Sequence, residues 1–570
     1  MDVYKLMDRC CESRRGCFTS LVLCCLGMLA SGMVRGIELP ASTNSTDWKL
    51  RDQQALKTLE QKSQSNSPPI QLPKAPSIGH LPKEHVCFLI KKVQVEGFYA
   101  RWAMSKAHKL IGRCLGQKGI KSYIRLINQK LLHDGYVTSR ATLPEQNIAT
   151  GVLHIKVTKG VIEKIVFPEE YRFYWQNALP FQVGDVLNLR DIEQGLEQIN
   201  RLQSQDVKFK IEPGSYEGAS ILVAKVVQSK PWTVNLSVDD SGSDTTGKYP
   251  LSAGVSVDNF LGVEDIFNYS ASYARQGSFG ESNSQSVSWD IPLGFNTISF
   301  SHSQFDYQQQ AIGSVRNFIL SGNGQNDSLR LNHVLFRNNV IKMGWFGAVK
   351  GRQRKSFIDD TEIKIQRHNL MELDLGSTYR QYIHAAVLDL TLGVHQGVTW
   401  FHSDGVDPRA ASGSTQPDYR FYSLSASLTV PVMLAQKHLH YTSQFWWQYA
   451  ATPLYSMDWF NNGGRYTVRG FSSSESLSAE NGWRSRNELL LPVSLLGSSS
   501  AGYLGLDVGQ VSGRGSDDIS SKTLMGLSIG IKGQVGHLSY DAFISNPFLA
   551  HGPYATSNDF KVNGSLSMNF

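Results

Sequence analysis

A chain of 570 residues with 18% charged side chains, 50 glycines and 10% aromatic residues lacks the charge and the long helical patterns of a large soluble enzyme. Its net charge of +7 is small for this length and spread along the chain. No basic stripe interleaves with base-stacking aromatics, which argues against nucleic acid as a partner.

Residues 1–36 read as an export signal: Arg9, Arg14 and Arg15 precede an apolar run, Cys17 to Met33, that is short and rich in small residues for a transmembrane helix. A single anchor helix is the alternative. Cleavage falls somewhere near Ala30 to Gly36, and neither Cys24 nor Cys25 follows the small residue that lipidation needs. Five of the seven cysteines lie in this leader, which leaves Cys87 and Cys114. A single cysteine pair in an exported chain reads as one disulfide. No histidine pair stands nearby at ligand spacing, so neither a metal nor a cofactor is predicted.

Within 37–62, "STDWKLRDQQALKTLEQKSQ" begins a short polar helix with Thr46 or Asp47 as N-cap. Only Trp48, Leu50, Leu56 and Leu59 are large and apolar, which suits a solvated tail or a plug in a wet interior. Residues 63–85 follow with five prolines in "SNSPPIQLPKAPSIGHLPKEH". This is a semi-rigid linker that reaches about 60 Å at ~3.1 Å per residue.

Two α/β modules are expected next, at 86–160 and 161–231. The first has a strand, "VCFLIKKVQVEG", and a helix in which Ile120, Ile124, Ile127 and Leu131 recur at helical spacing before Gly135 stops it. Strands "GYVTSRATLP" and "GVLHIKVTKG" close it. The second opens with "VIEKIVF" and holds the helix "LNLRDIEQGLEQINRL". There Asp191 and Gln194 make a capping pair, and Ile192, Leu196 and Ile199 form the inward stripe. Strands "DVKFKIEPG" and "ASILVAKVVQ" end it.

From 232 to 570 alternation replaces the helical period. "YSLSASLTV" places Tyr422, Leu424, Ala426, Leu428 and Val430 on one face, and "LHYTSQFWWQY" does so with Leu439, Tyr441, Phe445, Trp447 and Tyr449. "VLDLTLGVHQGVTW" repeats it through Leu388, Leu390, Leu392 and Val394, and "FKVNGSLSMNF" through Phe560, Val562, Leu566, Met568 and Phe570. Lipid on one face, water on the other and a closed sheet with no edge in hydrocarbon require this pattern. At roughly 21 residues per strand and turn the segment makes about 16 antiparallel strands, enough for an aqueous lumen. A large soluble β-structure is the alternative, but the polar face is mostly Ser, Gly, Asn and Thr. Two apparent motifs dissolve in this pattern. "GSDTTGKY" (Gly242 to Tyr249) resembles a phosphate loop but lacks the hydroxyl residue after Lys248 and sits between strands. In "GLSIG", Ser528 is one inward residue of a strand through Met525, Leu527, Ile529 and Ile531. No enzyme is read here.

Between strands "SQFWWQYA" and "SRNELLLP", the stretch "NNGGRYTVRGFSSSESLSAENGW" is polar and flexible enough to fold into the bore. Arg469 inside a partly dry lumen should seek a carboxylate, because an unpaired charge there costs several kcal/mol. The next strand, "AGYLGLDVGQV", offers Asp507 on the face opposite Leu504, Leu506 and Val508. A solvated loop charge is the other reading.

The stretches "VRGF" (Val468, Arg469, Gly470, Phe471), "NGWRSRNEL" and "LGLDVG", the terminal Phe570 and the two modules ahead of the barrel resemble the outer-membrane translocators of two-partner secretion. These belong to a wider group that includes outer-membrane assembly factors. The modules resemble polypeptide-transport-associated (POTRA) domains. "CFLIKKVQVEG", "GRCLGQKGI", "DGYVTSRATLPEQNIATGVLHIKV" and "LNLRDIEQGLEQINRL" fit the haemolysin and contact-dependent-inhibition branch. The resemblance spans nearly the whole mature chain. It implies an outer-membrane barrel with periplasmic POTRA domains, a Cys87–Cys114 disulfide and an inward loop whose Arg469 pairs with Asp507. It also implies a plug helix at about Asp47 to Gln61 on the proline linker, and Phe570 as the C-terminal barrel signature. The implied partner is a secreted exoprotein of cytolysin, adhesin or inhibition-toxin type. A monomer in lipid, inserted by the barrel-assembly machinery, is expected. One departure concerns Gly505, where the family often has a bulky aromatic, and it leaves the packing under the loop open. The competing functions are an assembly factor, which usually carries more modules and no plug helix, and a passive porin, in which the modules would have no purpose.

Overall fold

Strands that alternate in hydrocarbon leave no backbone group unpaired only when their sheet closes on itself, and in the computed structural model of this chain it does. The structure describes residues 84–312, 316–434, 436–472, 475–495, 498–517, 522–549 and 559–570. The export signal, the helix expected at 37–62 and the linker up to residue 83 lie outside the described residues.

The first module is a sheet of Lys92–Gly97, Val152–Thr158 and Arg140–Thr142, covered by helices α1 (Ala100–Ala107) and α2 (Gln117–His133). Of the expected stripe, Ile120, Ile127 and Leu131 are buried against Val93, Leu153 and Ile155, while Ile124 lies half-buried at the margin. Gly135 follows with a φ of 95°, a value that suits a chain leaving a helix. The opening strand is interrupted. Phe88–Leu89 pairs antiparallel with Cys114–Leu115 before Lys92 joins the main sheet. Helix α1 carries no apolar period, since it buries only Ala103 and Ala107.

In the second module Val161–Val166 runs parallel to Ala219–Gln228, and Gln205–Pro213 antiparallel to it, under α3 (Leu189–Ile199). Asn188 caps α3, not Asp191: the Asn188 Oδ1 accepts from the Arg190 N–H at 2.8 Å. The helix therefore begins before the expected capping pair, and Asp191 sits in its first turn.

Sixteen long strands form the barrel. The first seven are β1 (Trp232–Asp239), β2 (Leu251–Asp258), β3 (Ile266–Gln276), β4 (Gly280–Leu293), β5 (Asn296–Ile312), β6 (Asn317–Arg337) and β7 (Ile341–Ile358). After a two-residue strand at Thr361–Glu362 come β8 (His368–Ile383), β9 (Ala386–Val398), β10 (Arg420–Leu434) and β11 (Lys437–Ala450). The last five are β12 (Asn481–Leu495), β13 (Ser498–Ser512), β14 (Thr523–Val535), β15 (Leu538–Leu549) and β16 (Lys561–Asn569). Each pairs antiparallel with the next, and β16 returns to β1. Leu504, Leu527, Ile529, Ile544, Val562 and Leu566 stand exposed on the outer wall, as alternation requires. "GSDTTGKY" forms the turn between β1 and β2.

Module two is bonded to the barrel rim. Asn177 donates to the Val263 and Pro292 carbonyls at 2.6 and 3.0 Å, and Gln198 to those of Gly294 and Asn296 at 2.9 and 3.0 Å. Glu197 takes Lys342 at 2.5 Å together with Arg337, beside the β6–β7 turn. Glu264, fully buried in the β2–β3 turn, accepts from the Tyr171 hydroxyl and the Gln205 amide, both at 2.5 Å.

Candidate functional site in the barrel lumen

The connection between β11 and β12, residues 451–480, leaves the rim opposite the modules and folds back into the bore. A long polar loop can sit inside a barrel only if it brings partners for its own backbone and charges. This one brings a two-stranded sheet, Phe460–Asn462 against Leu477–Ala479. It also forms a small core in which Phe460, Val468, Phe471 and Leu477 pack with Val511 and Leu524 of the wall.

Arg469 is fully buried in this setting. Its Nε lies 2.6 Å from Asp507 Oδ2, its Nη2 2.7 Å from Asp507 Oδ1, and its backbone N–H donates to the same carboxylate at 3.1 Å. The remaining arm, Nη1, meets Glu488 Oε1 on β12 at 2.7 Å. Glu488 in turn takes Lys532 of β14 at 2.8 Å and Arg486 at 3.2 Å. One guanidinium thus joins two adjacent strands, β12 and β13, through a planar fork that a lysine could not reproduce, and Glu488 carries the link on to Lys532 of β14.

The two neighbouring residues explain how the arginine fits. Gly470 has a φ of 98°, and a Cβ there would stand 2.8 Å from the Asn546 carbonyl carbon of β15. At Gly505, two residues before Asp507, a Cβ would stand 2.4 Å from Arg469 Nη2. The glycine at the departure from the family pattern therefore makes room for the guanidinium. The aromatic packing comes from Tyr503 and Phe543, whose rings lie 5.7 and 5.9 Å from Arg469 Cζ, within cation–π range.

Further contacts hold the loop to other parts of the wall, and the sequence reading missed them. Asp458 reaches Arg352 on β7, Glu475 reaches Lys561 on β16, and Glu480 faces Arg514 at 3.5 Å. Arg465 binds Asp240 Oδ1 at 2.5 Å. Glu488 has a readable signal, because Arg484, Arg486 and Glu488 alternate along one face of a strand. The partners of Arg465 and Asp458 lie on strands far away in sequence and leave no such trace. On β8 and β9, Glu372, Asp374 and His395 sit close enough to hold a cation. Lys350 already lies 2.5 Å from Asp374, and Arg352 3.0 Å from Glu372, so these acids are neutralised within the chain.

The other sequence-derived residues lie in module one and at the end of the last strand. Cys87 and Cys114 are disulfide-bonded in module one. Phe570 exchanges backbone hydrogen bonds with Val234 of β1, at 2.9 and 3.2 Å, at the end of the closing ladder.

Among protein families, the haemolysin secretion/activation protein family ShlB/FhaC/HecB matches residues 218–533. A ShlB-type POTRA domain matches 88–160, and a POTRA domain matches 161–213. The outer membrane transporter CdiB-2 of Burkholderia pseudomallei (strain 1026b) is 35% identical over 457 residues, which are 78% of this chain and 77% of that protein. The hemolysin transporter protein ShlB of Serratia marcescens is 26% identical over 463 residues, 80% of this chain and 81% of its own. Of solved structures, CdiB from Escherichia coli is similar with a TM-score of 0.85 at 26% identity, covering 93% of this chain and 100% of that one. CdiB from Acinetobacter baumannii has a TM-score of 0.80 at 26% identity, with the same coverage of 93% and 100%.

Proposed function

The chain belongs to the haemolysin secretion/activation protein family ShlB/FhaC/HecB, and from that membership we propose how it carries an exoprotein across the outer membrane. It is an outer-membrane transporter of two-partner secretion, with its barrel in the membrane and its POTRA modules in the periplasm. Both modules carry open sheet edges: Lys92–Gly97 lies at one edge in the first and Gln205–Pro213 in the second. An unfolded partner adds a strand there, its backbone bonds giving affinity and its alternate side chains register. The segment 37–62, expected to be a plug helix, withdraws along the 63–85 linker, and the partner threads through the bore to the surface. No nucleotide-binding motif is present in the sequence, so folding of the partner outside supplies the drive. The transporter works as a monomer.

The observation that carries this reading is the folded loop in the bore, held by exchangeable ion pairs on several strands. Arg469 and Asp507 set the loop's position and so the state of the channel. Arg469→Ala is expected to abolish secretion while the barrel stays inserted. Quantitative mass spectrometry of supernatant and outer membrane, with and without this protein, tests the function itself. Loss of one large protein from the supernatant supports a dedicated transporter. Depletion of many membrane barrels would make it an assembly factor instead.

A further inference from the structure

We propose that Arg465 and Tyr466, in the same inward loop, hold the seam between β1 and β16 closed, so that the loop filling the bore also latches the wall. The seam is the shortest join beside the long strands. β16 pairs with β1 only from Ser565 opposite Asp239 to Asn569 opposite Asn235, with Phe570 and Val234 beyond. By comparison β12 pairs with β13 along its whole length, Asn481 to Leu495.

Past Asp239 the chain turns toward β2, and the start of β16 has no strand beside it on that side. The Asp240 carboxylate covers this edge instead. Its Oδ1 accepts from the Gly564 N–H at 3.3 Å and its Oδ2 from the Asn563 amide at 2.5 Å. A carboxylate this buried requires a cation, and Arg465 supplies it through Nη1 at 2.5 Å. The other arm, Nη2, reaches Ser565 Oγ on β16 at 3.1 Å and Asp541 Oδ2 on β15 at 3.4 Å. Tyr466 donates its hydroxyl to Asp239 Oδ2 at 3.0 Å. One guanidinium therefore bridges the end of β1, the strand across the seam and the strand behind it.

The bonds of Arg465 and Tyr466 are side-chain bonds from the loop, and all of them go when the loop moves. They are also linked to Arg469. The Phe543 ring lies 5.0 Å from Arg465 Cζ and 5.9 Å from Arg469 Cζ, and Asp541 accepts from Tyr503 beneath Arg469 at 2.9 Å. Displacing the loop leaves the seam with its short backbone ladder, the Asn235–Asn569 side-chain bond and an Asp240 carboxylate that has lost its cation. The inference rests on the transport reading only for the event that moves the loop, and the latch itself belongs to the resting protein.

Amide hydrogen exchange by mass spectrometry, on the full chain in nanodiscs without any partner, reads the seam directly. Arg465→Ala and Asp240→Asn are each expected to speed exchange in peptides of β1 and β16 at least tenfold, with β7 and β8 unchanged. Arg465→Lys, which keeps a cation at Asp240 and loses the arm to Ser565 and Asp541, restores part of the protection. Tyr466→Phe gives a smaller acceleration, and Arg465→Ala combined with Asp240→Asn matches either of those two substitutions alone. Should Arg465→Ala fail to fold, Asp240→Asn carries the test, because it leaves the loop sequence intact. Unchanged exchange at β1 and β16 in Asp240→Asn overturns the proposal. So does equal acceleration on every strand, which marks general destabilisation. A failed secretion assay leaves this result standing, since no partner is present.

Discussion

Two carboxylates, Asp507 and Glu488, share the one Arg469 guanidinium in the bore. Breaking a buried pair by removing one partner destabilises by about 3–5 kcal/mol, because the other charge stays behind unpaired. Lysine offers a point charge and no fork. Arg469→Lys is therefore expected to leave secretion near the level of Arg469→Ala, measured by immunoblot of partner in the medium with barrel folding checked by heat-modifiable gel mobility. Gly505 gives a sharper test of the packing. Gly505→Phe places a ring where Arg469 Nη2 now lies, and the folded barrel is expected to lose heat resistance although no charge has been removed. A wild-type unfolding profile would show that the loop can settle elsewhere. At this scale the sequence is readable where partners lie a strand apart. Arg469 and Asp507 are separated by 38 residues with a single barrel strand between them, whereas Arg465 and Asp240 are 225 residues apart. Only barrel closure brings the second pair together.

Elements carry their own signals when they bury a stripe. Helix α2 is legible because isoleucines and leucines repeat along it, and α1 is not, because two alanines give no period. The cap of α3 is not legible for a related reason: Asp191 and Asn188 both have the chemistry of an N-cap, and only the backbone decides which occupies it. The disulfide joins Cys87 and Cys114 across a sequence separation of 27 residues. A loop of that length is worth about 3–4 kcal/mol of chain entropy. Replacing both cysteines by serine is expected to make module one the first site of limited proteolysis while the barrel stays resistant. The join between module two and the barrel should respond to pH. Burial pushes the Glu264 carboxyl above the usual carboxylate range, even with Tyr171 and Gln205 donating to it. Its folded value then exceeds its unfolded one, so its contribution is full below the ordinary carboxylate value and fades as pH rises through the raised value. Spin-label distances between α3 and the β6–β7 turn are expected to narrow at pH 5 relative to pH 8. Glu264→Gln should flatten that difference.

At the scale of the whole molecule, the barrel was legible because alternation is a local property repeated many times, and its strand number followed from length. Register and closure are not local, so neither the short seam nor the loop's contacts across it could be read from periodicity. Ser237 and Ser567 face each other across the seam. A cysteine pair at these positions is expected to block secretion when oxidised and release it when reduced. Unaffected secretion in the oxidised form would confine the motion to the loop. The rim contacts of module two add a mechanical consequence. Those described above fall on the β2–β3, β4–β5 and β6–β7 turns and on the start of β7, all on the β1 side of the seam. The modules are a lever bolted to one lip of a split ring. A polypeptide tugging on them applies torque to that lip alone, and the binding of cargo is converted into strain where the ring is weakest.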